Sequence, residues 1–184
     1  MTLHADARRT IYAAFDATPS RWCYSIFHSN AIHLNDVRLD LVKSIAGDFQ
    51  TERAIAVAET FAAVECLLDL FQSISGPAIV VLVGDNQNAT RALWSLVSSN
   101  DEIKQQTSRS GLNRIDARST SVVCVDIHTD ANYADLGTRP QREISDAERL
   151  QRYQDTRNRF REALQIYKRT RKTYIHRDET SENH

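Results

Sequence analysis

At 184 residues, with 23 basic against 24 acidic side chains, the chain has room for one domain with a substantial core plus an appended element. Near-balanced charge excludes a nucleic-acid binder that works through bulk positive charge, so only the local distribution of charge is informative. No run approaches the length that spans a bilayer and residues 1–10 lack the apolar core of a signal peptide, so no membrane partner is expected and the chain reads as soluble and intracellular, or as a piece of a larger intracellular polyprotein.

Ile11 to Phe15 is a short apolar run ending on Asp16, and Ala17-Thr18-Pro19-Ser20 supplies turn chemistry before a second run, Trp22 to Phe27. A hairpin is predicted, with Asp16 at the end of its first strand. Residues 31–41 alternate in part, through Ile32, Leu34, Val37, Leu39 and Leu41, which predicts a third strand with a slip or bulge near Asn35-Asp36. Residues 43–50 read as a loop around Gly47. From Thr51 or Ala54 to Ile74 the period becomes helical, with Ile55, Ala58, Ala62, Cys66 and Leu70 on one face. Glu59 lies beside that stripe; taken alone, it reads as a solvated rim residue. Glu52, Glu65 and Asp69 are placed in solvent, because burying them against a sheet would cost their hydration.

Gly76-Pro77 closes the helix, and Ile79 to Val83 is a continuous aliphatic run that suits a strand covered on both faces. It ends on Asp85. Open sheets carry their chemistry at the carboxyl ends of strands, yet Asp85-Asn86 could equally cap the helix predicted at 88–98. Residues 100–120 are polar, with Lys104, Arg109, Arg114 and Arg118 interleaved and a short helix expected around Glu102 to Gln106. Ser121 to Ile127 is the last clear strand and runs into a polar segment containing His128, Asn132 and Asp135. Beyond Pro140, Ser145 to Glu148 has capping-box spacing, and a long helix should reach about Tyr174 with Leu150, Tyr153, Phe160, Leu164 and Tyr167 on one face. Its Arg-rich remainder fits a packing or oligomerisation element and nucleic-acid contact equally well. Residues 178–184 read as a frayed tail. Cys23, Cys66 and Cys124 lie far apart in apolar contexts, as buried reduced thiols would.

Four segments in this order resemble the ribonuclease H domain of retroelement reverse transcriptases. FDATPSRWCYSI is similar to that family's first-strand Asp and Trp-bearing second strand, and AETFAAVECL to its Glu-bearing helix. VLVGDNQNATRAL is similar to its strand–Asp-Asn–helix junction, and NYADLGTR to the Asn-Pro-Ala-Asp-x-x-Ser/Thr-Arg signature of retrotransposon members. The likeness covers residues 10–140 and implies an α/β ribonuclease H-like fold: a mixed five-stranded sheet flanked by helices, here with a long C-terminal helix. Residues 1–140 would form that domain and 141–184 an appended basic helix and tail.

The resemblance implies an enzyme that cleaves the RNA strand of RNA/DNA hybrids with two Mg²⁺ ions, Mn²⁺ being a possible substitute. Asp16, Glu59, Asp85 and Asp135 would be its metal-binding set. Such chemistry needs one ion to ready the attacking water and another to stabilise the leaving 3′ oxygen, about 3.5–4 Å apart, and Mg²⁺ takes oxygen ligands. Four gathered carboxylates also repel one another, so one at least should hold a raised pKa without metal. His128 would assist proton transfer or product release. Asn86, Gln87, Asn132 and Arg139 would contact the hybrid, and a reverse transcriptase polymerase domain would be the partner in the same polyprotein. The sequence departs from the family at Cys23, at Tyr133 and at Val83-Gly84, none of which removes an acid. Two rivals remain at this point: a non-catalytic binding or scaffold module of the same fold, and another nuclease or transposase of that superfold with fewer acids.

Overall fold

Residues 11–17 are buried without interruption, as a strand covered on both faces must be. They belong to β1 (Arg9–Ala17) in the computed structural model, which describes residues 9–29, 39–74, 76–86, 89–90, 93, 100–110, 120–139 and 145–170. A tight turn, closed by Thr18 N–H donating to Arg21 O at 2.8 Å, leads into antiparallel β2 (Arg21–Ser29), with Asp16 opposite Cys23. β3 (Leu39–Asp48) pairs antiparallel on the outer side of β2. On the other side of β1, β4 (Ala78–Gly84) and β5 (Thr120–Asp126) add in parallel, giving the order β3-β2-β1-β4-β5. Parallel neighbours need crossovers. α1 (Ile55–Ser73) precedes β4, and α2 (Asp101–Arg109), capped by the Asn100 side chain, precedes β5.

The third strand corrects the sequence expectation. It runs through the predicted loop at 43–50, and of the predicted 31–41 stretch the structure describes only 39–41. Alternation fails as a guide because β3 is an edge strand whose Leu41, Val42 and Ile45 are exposed. Gly47 marks no turn: it lies beneath the Trp22 indole, where a Cβ would come within 2.6 Å of the ring. The bulge falls at Val42, since Ile26 pairs with Lys43 and Phe27 with Leu41.

Helices cover both faces of the sheet. Ala58, Ala62, Cys66 and Leu70 of α1 pack against Ile11, Ala13, Phe15, Val80 and Leu82, although Ile55, predicted on that face, is exposed at the first turn. Asp69 is not left in solvent: Tyr24 Oη donates to it at 2.7 Å and Lys43 Nζ at 2.5 Å, tying α1 to β2 and β3. Glu65 likewise receives Arg109 of α2 at 2.6 Å. After β5, a 3₁₀ turn (Thr129–Ala131) and α3 (Asp135–Thr138) lead to α4 (Asp146–Thr170). Phe160, Leu164 and Tyr167 of α4 close the opposite face over Tyr12, Ala14, Val81 and Val83. Phe27 lies edge-on to Tyr133 at 5.0 Å and 5.3 Å from Phe160. Leu150, predicted in the buried stripe, is 60 % exposed, and Tyr153 reaches only the rim. Among the described residues, the first two turns of α4 therefore have no covering layer. All three cysteines are buried and free. Among the described residues no helix is long and apolar enough to cross a membrane.

Candidate metal centre

Parallel pairing of β1 with β4 brings their carboxyl ends side by side, with Ala14 opposite Val83, so the acids that follow each strand meet. Asp16 is 4 % exposed and Glu59, from the second turn of α1, 5 % exposed. Asp85 joins them half-buried, and one carboxylate oxygen from each of the three lies within 4.8 Å of the others. The junction before Asp85 has a steric reason for its glycine: a Cβ on Gly84 would come within 2.4 Å of the Phe15 ring, which fills that corner. Asn86 takes the capping role. Its Oδ1 accepts from Ala89 N–H and its carbonyl from Thr90 N–H, both at 3.1 Å, which leaves the Asp85 carboxylate to face Thr129 and Asn132.

Electrostatics follow from this crowding. Burial pushes the Glu59 carboxyl up to about 9, and Asp85, Asp16, Asp126 and Asp135 add repulsion. Burial pushes Asp16 up to about 7 against the opposing hydrogen bond from Thr138, with Asp85 and Asp135 adding to the rise. Asp85 is raised too, chiefly by burial. Glu59 Oε2 is buried with no hydrogen-bond partner among the described residues. A buried, orphaned carboxylate oxygen facing two more carboxylates is costly unless a cation completes it. The donor set is all oxygen, which suits a hard divalent ion such as Mg²⁺.

The remaining sequence-predicted residues are placed differently. Asp135 opens α3 close enough to act electrostatically on all three acids, but its Oδ2 accepts from Arg139 Nε at 2.5 Å and it is not one of the converged trio. Arg139 is thus held by Asp135. Asn132 is fully buried: its Nδ2 donates to Phe15 O at 3.0 Å and its Oδ1 accepts from Ala134 N–H, so it fixes the end of β1 and is closed to a hybrid. His128 is 78 % exposed, with Nδ1 accepting from Asp130 N–H at 3.1 Å. Gln87 and most of the predicted 88–98 helix lie outside the described residues. Two residues escaped the sequence reading. Thr138 donates through Oγ1 to Asp16 Oδ2 at 2.5 Å. Asp126 ends β5 opposite Gly84 and acts on Glu59. An aliphatic run ending on Asp, as at Asp16 and Asp85, was the signal for it.

No family model matches the sequence, and no curated relative does. Solved structures match the fold. The ribonuclease H domain of rv2228c from Mycobacterium tuberculosis aligns over 71% of this chain and 91% of its own, with a TM-score of 0.54 at 10% identity. The ribonuclease H1 named LC11, solved in complex with an RNA/DNA hybrid, aligns over 71% of this chain and 93% of its own, with a TM-score of 0.52 at 16% identity. The foamy viral protease–reverse transcriptase, also solved with an RNA/DNA hybrid, aligns over 71% of this chain but 19% of its own, with a TM-score of 0.48 at 13% identity. The chain has the ribonuclease H-like fold: a mixed five-stranded sheet with four described helices, the last one long. Ribonuclease H enzymes share that fold, and this chain carries a group of acids at the carboxyl ends of its central strands.

Proposed function

We propose that the protein is a divalent-metal-dependent endoribonuclease that cuts the RNA strand of RNA/DNA hybrids, working as the ribonuclease H part of a retroelement reverse transcriptase. The observation that carries this reading is the trio of Asp16, Glu59 and Asp85, with their oxygens within 4.8 Å of one another and Glu59 Oε2 buried without a partner among the described residues. Those three would hold Mg²⁺, with Asp135 serving a second ion once released from Arg139. Bound there, the metal would supply an activated water and charge stabilisation for the leaving 3′ oxygen.

The chain's own groups define the rest. Thr138 orients Asp16 through a hydrogen bond, while Thr129 and Asn132 orient Asp85. Arg139, on the solvent side of Asp135, is set to meet a backbone phosphate once the acid turns to metal. His128, exposed just beyond the end of β5, would assist proton transfer or product release in an assembled complex. Residues 1–140 would carry the nuclease and 141–184 the appended helix, whose second half completes the core. A polymerase domain of the same polyprotein and a place inside an intracellular retroelement particle follow from the likeness of NYADLGTR to the retrotransposon signature.

One observation favours a second reading, a non-catalytic binding module: Asp135 is engaged by Arg139 and stands outside the trio. Labelled RNA/DNA, RNA/RNA and DNA/DNA duplexes incubated with and without Mg²⁺ separate the two. Mg²⁺-dependent cutting confined to the RNA of the hybrid is the expected result; binding without cutting in either Mg²⁺ or Mn²⁺ establishes the module.

A further inference from the structure

Beside the trio, on the α4 side of β2 and β3, lies a groove of about 500 Å³ that the reading above leaves unused. Ser20, Ser44, Ala46 and Gly137 are among the small residues that line it. Arg21 and Arg139 border it, and Tyr153 from the uncovered start of α4 stands at its rim. The groove is continuous with the candidate centre, because Thr138 lines it while donating to Asp16, and Arg139 lines it while donating to Asp135.

Its chemistry is specific. Arg21 spends Nε on Gly137 O at 2.8 Å and Nη1 on Asp48 at 2.9 Å, and Nη2 has no bond to a described residue. Among the described residues Arg139 uses only Nε, on Asp135. Both guanidiniums therefore keep donors for an anion, with the Asp48 charge already matched by Arg21. Tyr153 is 37 % exposed and is braced by an edge contact with Tyr133 at 5.9 Å, which holds the ring while leaving surface free. An aromatic side chain sharing one groove with cationic side chains is a recurring arrangement for single-stranded nucleic acid. The volume falls within the roughly 300–1,000 Å³ of small-ligand sites, enough for a nucleotide and too little for a duplex.

We propose that this groove holds a single unpaired nucleotide of a strand that continues past the hybrid, its base on Tyr153 and its phosphate between Arg21 and Arg139. The proposal rests on the hybrid-nuclease reading and adds a preference to it: the protein engages hybrids that end in a single-stranded extension, as at a junction between copied and uncopied template. Helix α4 would then have a second role besides closing the core.

The test uses the full chain with Ca²⁺ in place of Mg²⁺, and fluorescence anisotropy of a blunt RNA/DNA hybrid, the same hybrid with a three-nucleotide RNA or DNA extension at either end, and the extension alone. Wild type should bind one extended hybrid about tenfold tighter than the blunt one, the scale of one stacked base. Tyr153→Ala should erase that difference without changing blunt-hybrid affinity, and Tyr153→Trp should restore it. Thermal melts of each variant control for folding. Equal affinity of wild type for blunt and extended hybrids, or a preference that survives in Tyr153→Ala, overturns the groove. If no hybrid binds but the extension alone binds through Tyr153, the groove stands and the hybrid reading falls; if neither binds, the groove falls too.

Discussion

The Thr138 hydroxyl reaches Asp16 Oδ2 at 2.5 Å across 122 positions of sequence, so the short helix α3 is pinned to the end of β1 by one side-chain bond. The same hydroxyl touches the Asp135 carbonyl at 3.1 Å, which ties the position of the fourth acid to the orientation of the first. Replacing Thr138 by Val keeps the shape and removes the donor. Stability should fall by about 1 kcal/mol, and the Mg²⁺ concentration for half-maximal hybrid cleavage should rise by roughly 10–100-fold, the usual scale for a ligand-orienting partner. A Mg²⁺ titration of cleavage rate measures the second effect.

Asp85→Asn removes the charge between the two most buried acids while preserving size and the capping geometry at Asn86. Hybrid cleavage should drop by more than ~100-fold with the circular dichroism spectrum and melting temperature intact or improved, since a source of repulsion is gone. Undiminished Mg²⁺-dependent activity in this variant would sink the assignment.

The metal-free protein should lose stability as pH rises. Glu59 and Asp16 have ordinary carboxyl values of 4.5 and 3.8 when unfolded, against about 9 and about 7 in the fold. The folded state thus binds more protons than the unfolded chain between about pH 4 and 9, and the slope of stability against pH is negative through that window. In EDTA the melting temperature should fall from pH 5 to pH 9, and Glu59→Gln should remove most of the decline. Adding Mg²⁺ should flatten the curve for the wild type and leave the already flatter curve of that variant nearly unchanged.

Phe160 is fully buried against Phe27, at the point where α4 meets the sheet. Phe160→Ala should cost about 3–5 kcal/mol, as expected for truncating a buried ring. Denaturant midpoints with an unchanged m-value would attribute the loss to stability alone.

Gly84→Ala would drive a methyl into the Phe15 ring. A cost of about 1–3 kcal/mol is expected from overpacking, with cleavage falling further than stability because the displaced ring lies at the base of the Asp85 turn. Comparing Tm with kcat at saturating Mg²⁺ separates the two losses.

Much of this candidate site is legible in the sequence because its signals are local. An aliphatic run ending on Asp marks a strand end wherever it occurs, and it located Asp16 and Asp85. Glu59 was less visible: on a helix alone it reads as solvated, and only the sheet beneath α1 buries it. β3 was misplaced because edge strands do not alternate cleanly, and a glycine roofed by Trp22 looks like a turn until the partner is seen. Asn132 reads as a substrate contact on chemistry that fits equally well a buried amide bridging two backbones. Thr138 lies inside the NYADLGTR segment, yet no spacing rule connects it to a residue near the other end of the domain.

The place of β1 in the sheet has a kinetic consequence. It pairs with β2 made just after it and with β4 made long after, so Asp16 and Asp85 become neighbours only when the β1–β4 contact closes a large loop. Closing such a loop is costly and belongs late on the folding path. A metal that needs both residues has nothing to grip before then. Mg²⁺ should therefore slow unfolding while leaving the refolding rate nearly unchanged, acting as a latch on a finished sheet.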